Sequence, residues 1–295
     1  MNDHQWLADR FEENRRHLRG VAYRMLGSVS EADDAVQEAW LRLSRQDAEH
    51  VDGIDNLTAW LTTVVARVSL TMLKTRGREE SLDAVHVPEP IISPEDGLDP
   101  EHEALLADSV GLALLVVLET LQPAERLAFV LHDMFAVPFE EIAAIVDKTP
   151  AAARQLASRA RRRVQGAEAV PDPDLNRQRE VVRAFSAASR GGDFAGLVAV
   201  LDPDVVLRAD YGNLPAGLKL VRGAEAVAKQ ALMFSRFAMD SYPALVNGAP
   251  GRVTIVDGKP MSVMGFTVVD GRIKEINILA DPERLAEVDL TLFEG

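Results

Sequence analysis

Between Ser81 and Pro100, Pro88, Pro90, Pro94, Pro100 and Gly97 are set among acids. Proline lacks a backbone donor and clashes with the preceding helical turn, so this stretch holds no long helix and separates the chain into bodies on either side. From Ser81 to Val110 there are eight acidic residues (Asp83, Glu89, Glu95, Asp96, Asp99, Glu101, Glu103 and Asp108) and no Lys or Arg. The segment reads as an acidic, Pro-rich linker over 81–104. At 295 residues the chain suits two or three compact units, each burying its own core.

Helical periodicity dominates the first 80 residues. Ser30 reads as an N-cap with an acid three residues on, Asp33, and Ala32, Ala35, Val36, Ala39 and Leu43 then share one face. Asp34, Gln37, Glu38 and Arg42 turn outward. A second helix is expected from near Asn56, with Trp60, Leu61, Val64, Val65, Val68 and Met72 at helical spacing and Lys74, Arg76, Gly77 and Arg78 at its basic exit. Trp60 lies on the apolar stripe and reads as core. Helical spacing resumes around Ala104 and restarts after Pro123, which suits the first turn of a helix. This gives a helical domain over 1–80, a second over 105–166, and a connector over 167–175 containing Pro171 and Pro173.

The sharpest local pattern is Pro138 to Val164. Phe139, Ile142, Ala143 and Val146 form a short stripe, Asp147 and Lys148 make a turn, Thr149 is an N-cap, and Pro150 takes the first helical position. In the second helix Ala153, Leu156, Ala157, Ala160 and Val164 face inward, leaving Ala151, Arg154, Gln155, Ser158, Arg159 and Arg162 outside. Two helices meeting at such a corner make a helix-turn-helix, whose second helix can enter a major groove. An ordinary helical hairpin with a solvated basic face would show the same pattern. Net charge is −14, which argues against indiscriminate coating of nucleic acid. Yet Pro150 to Gln165 carries five arginines and no acid, so any binding to nucleic acid is local.

From Asn176 the pattern changes. Val181, Val182, Phe185 and Ala188 make a helical face, and alternating runs follow at Arg252 to Val256, Met261 to Val269 and Arg272 to Leu279. Asp257-Gly258 and Asp270-Gly271 between them are two-residue hairpin signals. Residues 176–295 therefore read as an α+β domain with a covered antiparallel meander. The chain has no cysteine, hence no disulfide and no thiolate metal site, which suits a reducing cytosol. No apolar stretch reaches the roughly 18 to 20 residues that span a bilayer. A cytoplasmic location, with no membrane association, no cofactor and no metal, is expected.

Leu18 to Arg78 resembles sigma domain 2, and Leu121 to Val164 resembles sigma domain 4, in that family's order. The first match runs through Glu31-Ala32-Asp33-Asp34-Ala35-Val36-Gln37-Glu38-Ala39-Trp40. The second opens with Leu121-Gln122-Pro123-Ala124-Glu125-Arg126 and closes with Ser158-Arg159-Ala160-Arg161-Arg162-Arg163. His86-Val87-Pro88-Glu89-Pro90 resembles the Trp-Leu-Pro-Glu-Pro linker of extracytoplasmic-function sigma factors with a SnoaL-like extension. Asp281-Pro282-Glu283-Arg284-Leu285 resembles their Asn-Pro-Asp-Lys-Leu, and Asp210-Tyr211-Gly212-Asn213 stands where many have Asp-Gly-Gly-Gly-Lys.

The resemblance implies two all-α domains, the second with a helix-turn-helix, and a C-terminal α+β SnoaL-like domain of cone shape. It implies core RNA polymerase, through its β′ coiled coil and β flap, and promoter DNA as partners. Asp33, Asp34, Gln37 and Glu38 would meet the polymerase. Asp55, Asn56, Arg67, Lys74, Arg76 and Arg78 would serve the minus-10 element, with bases captured from the loop Gln46 to Asp55 onward. Thr149, Ala151, Arg154, Gln155, Ser158, Arg159 and Arg162 would serve the minus-35 element. Pro88, Glu89, Pro90, Asp210, Asp281, Pro282 and Leu285 would join linker to extension in a built-in regulator. The acidic linker would be a solvated tether, an occupant of a basic polymerase channel, or a stretch that repels DNA while the factor is free.

The rival is a SnoaL-like isomerase or cyclase with regulatory helical domains, using Asp210 and Tyr211. Adjacent strand residues point to opposite faces, however, and no histidine follows Asn176. A small-molecule ligand in the C-terminal domain, without chemistry, is the milder form of that reading. No catalytic residue is assigned.

Overall fold

The computed structural model describes residues 3–45, 56–79, 86–95, 111–167, 171–235 and 240–288. The chain divides into two compact units. One contains Met1–Ala84 and Val117–Ala167, the other Val85–Val116 and Glu168–Gly295.

The helical unit opens with α1 (Asp3–Leu26), α2 (Val29–Leu43) and α3 (Leu57–Glu79). The α2 cap is Ser28 rather than Ser30: its hydroxyl accepts from the Glu31 N–H at 3.2 Å. Gly27 at φ 71° ends α1, so Ser28, with extended dihedrals, is the first residue able to cap. The inward stripe of α2, Ala32, Ala35, Val36, Ala39 and Leu43, is buried throughout, as are Leu18, Met25 and Leu26 of α1 and Leu61 and Val65 of α3. Next come the end of α4 (Leu112–Glu119), then α5 (Pro123–Phe129), which runs into a π-helical turn at Val130–Met134. The unit closes with α6 (Phe139–Val146) and α7 (Pro150–Ala167).

The second unit is α+β. Helices α8 (Leu175–Gly191), α9 (Phe194–Val200) and α10 (Ala224–Ser235) cover one face of a seven-stranded sheet of order β1-β4-β5-β6-β7-β2-β3. Its strands are β1 (Ile92–Ser93), β2 (Leu201–Asp210), β3 (Leu218–Arg222), β4 (Asp240–Val246), β5 (Ala249–Val256), β6 (Lys259–Val269) and β7 (Arg272–Leu279). The last three correspond to the expected meander, which β4 extends by a strand the sequence did not announce, and β2 joins β7 in parallel. Asp257-Gly258 and Asp270-Gly271 both have positive φ, the requirement of a type I′ hairpin. Asn247-Gly248 makes the same turn between β4 and β5.

Helix-covered Leu207, Phe266 and Ile276 form one core with Phe185 and Leu197. On the opposite face Val246, Val253, Val263 and Leu279 are covered by Val87, Ile92, Leu112 and Leu285. The described part of the Pro-rich stretch is thus not a solvated tether: Val87 through Ser93 is buried, and Ile92 and Ser93 pair with Val246 and Leu245 as an edge strand. Prolines that forbid a helix are compatible with extended chain at a sheet edge. Asp83, Asp96, Asp99, Glu101, Glu103 and Asp108 lie outside the described residues. So do Ala104 and its neighbours, where the sequence pattern resumes helical spacing.

Two glycines let the layers close. A Cβ at Gly251 would meet the Met264 carbonyl oxygen at 2.7 Å and the Val246 side chain, and one at Gly265 would come 2.9 Å from Leu112 Cδ2. Gly251→Ala is expected to destabilise the C-terminal unit by about 1–3 kcal/mol through overpacking. Calorimetry should show the loss in that unit's melting transition alone.

Candidate nucleic-acid interface and linker cradle

The corner between α6 and α7 is made by Asp147, whose φ of 55° places it in the left-handed region that a glycine commonly fills. Asp tolerates that conformation, so the missing glycine leaves the turn intact. Thr149 Oγ1 accepts from the Ala152 N–H at 3.2 Å and caps α7. Ala153, Leu156, Ala157, Ala160 and Val164 are buried, while Ala151, Arg154, Gln155, Ser158, Arg159 and Arg162 face solvent to differing degrees.

The arginines are aimed by carboxylates from neighbouring helices. Arg159 and Arg163 share the two oxygens of Glu125, itself buried on α5, at 2.7 and 2.9 Å. Arg154 pairs with Glu140 at 3.2 Å and lies over the Phe139 ring, and Arg161 pairs with Asp133 at 2.7 Å. Side chains of Arg154 and Arg159 are still 57% and 46% exposed. The Arg154–Glu140 pair is exposed on both sides and contributes about 0–1 kcal/mol, so a phosphate could displace that acid at small cost, whereas freeing Arg159 would leave the buried Glu125 short of a partner.

On α2, Asp33, Asp34 and Gln37 are exposed and Glu38 half-buried. Asp33 pairs with Arg19 at 2.7 Å, and Glu38 with Arg42 at 2.8 Å. Asn56 Oδ1 accepts from the Ala59 N–H at 3.0 Å and so caps α3. Lys74 is exposed. Arg67 donates to the Ala144 carbonyl at 3.3 Å, and Arg76 pairs with Glu31 while donating to the Leu26 carbonyl at 3.3 Å. Gln46 to Asp55, and the side chain of Arg78, lie outside the described residues. Trp60 is only half-buried and lines, with Arg42, Arg45 and Arg67, an open cavity of about 550 Å³. The helical stripe marks which face it is on but not whether a neighbour closes over it.

In the other unit three short motifs, at His86–Pro90, Asp210–Asn213 and Asp281–Leu285, converge on one carboxylate. Asp210, 1% exposed, accepts through Oδ2 from the Val87 N–H at 3.0 Å and from Arg284 Nη1 at 2.9 Å, and bonds His86 Nδ1 at 3.0 Å. Its Oδ1 accepts from the Gly212 N–H at 3.0 Å. Arg284 also donates to the Val87 carbonyl at 2.5 Å. Asp281 caps the short helix α11 (Pro282–Leu285), which carries Arg284 into place. Pro88, Glu89, Pro90 and Leu285 are buried here, and Pro282 is exposed.

Residues outside these three motifs complete the cradle. Asn247 Oδ1 accepts from the Ile91 N–H at 3.1 Å while its own N–H donates to the Ile91 carbonyl. Arg183 pairs with Glu95 at 2.8 Å. Asn247-Gly248 carries the same hairpin signal as the two Asp-Gly turns, and Arg284 sits inside Asp281–Leu285, so both had a local signal. Tyr211 packs on the helix-covered core, away from the linker-bound carboxylate of Asp210, and burial pushes its phenol up. Among the described residues no group of three His, Cys, Asp or Glu could hold a metal ion, and no helix is long and apolar enough to cross a membrane.

Two helical modules, the second bearing a helix-turn-helix, together with an α+β domain define a modular DNA-binding protein. The Sigma-70 region 2 family matches residues 10–79, and Sigma-70, region 4 matches residues 111–164. The chain is 40% identical over 292 residues to the ECF RNA polymerase sigma factor SigJ of Mycobacterium tuberculosis, covering 93% of this chain and 91% of that one. It is 33% identical over 290 residues to the probable ECF RNA polymerase sigma factor SigI of the same species, covering 97% of each. The crystal structure of SigJ superposes with a TM-score of 0.77 at 39% identity, over 96% of this chain and 99% of that one. The chain belongs to the ECF RNA polymerase sigma factors, and directs transcription initiation from specific promoters.

Burial pushes the Asp210 carboxyl up, but the bonds from His86 and Gly212 and the charges of His86 and Arg284 outweigh it and hold it below the ordinary carboxylate range. A carboxyl held low in the folded state stabilises it above the unfolded pKa, and that contribution fades as pH falls through the folded value. Asp210→Asn is therefore expected to lower the melting temperature of the C-terminal unit at pH 7. The gap to wild type should narrow below about pH 4, which melting curves from pH 7 to 3 would check.

Proposed function

We propose that this factor reads the minus-35 element with Thr149, Ala151, Arg154, Gln155, Ser158, Arg159 and Arg162. Asp55, Asn56, Arg67, Lys74, Arg76 and Arg78 serve the minus-10 element, and Asp33, Asp34, Gln37 and Glu38 dock on the β′ coiled coil, with the second module on the β flap. The observation that carries this reading is the capped helix α7, whose solvent-facing row is Arg, Gln, Ser and Arg. Those side chains can reach base edges and phosphates in a major groove.

The C-terminal SnoaL-like domain acts as a gate through Pro88, Glu89, Pro90, Asp210, Asp281, Pro282 and Leu285, and it works in the cytoplasm without chemistry of its own. Against a catalytic role stands the engagement of Asp210, whose oxygens are taken up by the linker, Gly212 and Arg284. An isomerase or cyclase would need that carboxyl free to move a proton.

Run-off transcription with core polymerase tests the reading, since an enzyme with regulatory helices gives no promoter-dependent transcript. Arg154→Ala and Arg159→Ala are each expected to weaken minus-35 use while core binding stays intact. The salt dependence of promoter binding should fall by about one unit of slope for each phosphate that is no longer gripped. Unchanged promoter selectivity in both variants would remove α7 from the assignment. Deleting residues after Gly166 uncovers Val87, Ile92 and Leu112, and is expected to change the transcript yield. An unchanged yield would refute the gate.

A further inference from the structure

We propose that Arg179, Arg183, Arg190 and Arg252 of the C-terminal unit form a binding site for a small molecule that ends in a phosphate group, and that Glu95 of the linker competes with it. The site stands apart from the helix-turn-helix and from the Asp210 cradle, and it does not depend on the promoter reading.

The sequence sets three of the cations in a row. Spacings of four and seven put Arg179, Arg183 and Arg190 on one face of α8. The fourth comes from the sheet. Arg252 on β5 pairs with Met264, which packs on the helix-covered core, whereas Val253 faces the other core. Arg252 therefore rises on the side of the sheet against which α8 packs.

Among the described residues only Glu95 answers this charge. Its carboxylate pairs with Arg183 at 2.8 Å and lies 3.9 Å from Arg179 Nε, and its carbonyl accepts from Arg179 Nη2 at 3.0 Å. Arg190 donates to the Ser186 carbonyl at 3.3 Å, and Arg252 donates to the hydroxyl and the carbonyl of Ser241. Neutral oxygens orient a guanidinium but leave its charge unbalanced.

Four cations around one carboxylate are costly for groups withdrawn from water. Arg252 is half-buried, and burial together with the charge of Arg190 pulls its guanidinium below the ordinary arginine range, with Glu95 acting the other way. Arg179 Nε is buried with no hydrogen-bond partner among the described residues. A bound anion would supply both the missing charge and the missing acceptor.

The class of anion follows from charge. A carboxylate brings a single negative charge, and so does each phosphodiester of a nucleic-acid backbone. A terminal phosphate brings about −1.5 to −2 at neutral pH and three acceptor oxygens, which suit the forked donors of guanidinium. A terminal phosphate or diphosphate therefore matches the row better than Glu95 does. Glu95 lies two residues beyond β1, so a ligand that takes Arg183 from it loosens the linker where it leaves the sheet.

Calorimetric titration of the full-length factor with pyrophosphate tests the site. Pyrophosphate is expected to bind with a stoichiometry of one. Arg183→Gln and Arg190→Gln, both at exposed positions, should each weaken binding by about tenfold with helical content retained, the loss of one charge-assisted contact. Glu95→Gln should tighten it by about threefold, because the internal competitor is gone, while Glu225→Gln on α10 leaves it unchanged. Absence of binding at millimolar pyrophosphate overturns the proposal. So does an affinity that both arginine variants leave as it was, or that Glu95→Gln fails to raise. A duplex lacking promoter elements is titrated in parallel. If the two arginine variants weaken duplex binding while pyrophosphate does not bind, the row is a contact for the nucleic-acid backbone and the small-molecule site is refuted.

Discussion

The C-terminal unit depends on a buried carboxylate that has more partners than it could find in any one stretch of chain. Asp210 Oδ2 holds the Val87 N–H, the His86 ring and Arg284 at 2.9 to 3.0 Å. An unpaired charge there would be strongly disfavoured, so the linker backbone and α11 must both be in place for the fold to hold. Arg284 then returns to the Val87 carbonyl, satisfying both polar groups of a residue whose side chain is buried in the sheet core. Once Val87 is fixed, Ile91 reaches Asn247 and Ile92 extends the sheet past β4. A segment too rich in proline for a helix becomes part of a domain whose other strands begin more than a hundred residues later.

Charge is handled differently in the helical unit. The basic face of α7 is solvent-facing yet neutralised locally by Glu125, Glu140 and Asp133, and the overall charge is −14. On the reading proposed above, duplex binding exchanges carboxylates for phosphates, which is nearly balanced for the exposed Arg154–Glu140 pair. Glu125 is buried and grips two arginines at once, so it limits the rotamers open to Arg159 and Arg163.

Local patterns are legible where a single element satisfies itself. The inward faces of α2 and α7, the Thr149 cap and the Asp-Gly hairpins depend only on residues within one or two turns of each other, and the structure has them. The cap of α2 falls on Ser28 because Gly27, not the spacing of acids, decides where α1 ends. What periodicity does not carry is the identity of the covering partner. What buries Val87 and Ile92 is not legible until the face made by Val246, Val263 and Leu279 is known. The parallel pairing of β2 with β7 leaves no local trace either. For the same reason Trp60 reads as core in the sequence: its stripe is real, but an open cavity lies beside it.

A linker captured by its own chain does not need a tight interface. Because Val87 to Ser93 and the sheet belong to one chain, docking is an intramolecular step. Hydrogen bonds around Asp210 and Asn247, a two-residue strand and the buried side chains of Val87, Ile91 and Ile92 then hold the linker on the sheet. A separate regulatory protein holding the same segment would have to supply that advantage through a larger surface and would release it more slowly. Fusion therefore lets a small number of polar anchors along the linker suffice to hold it in place.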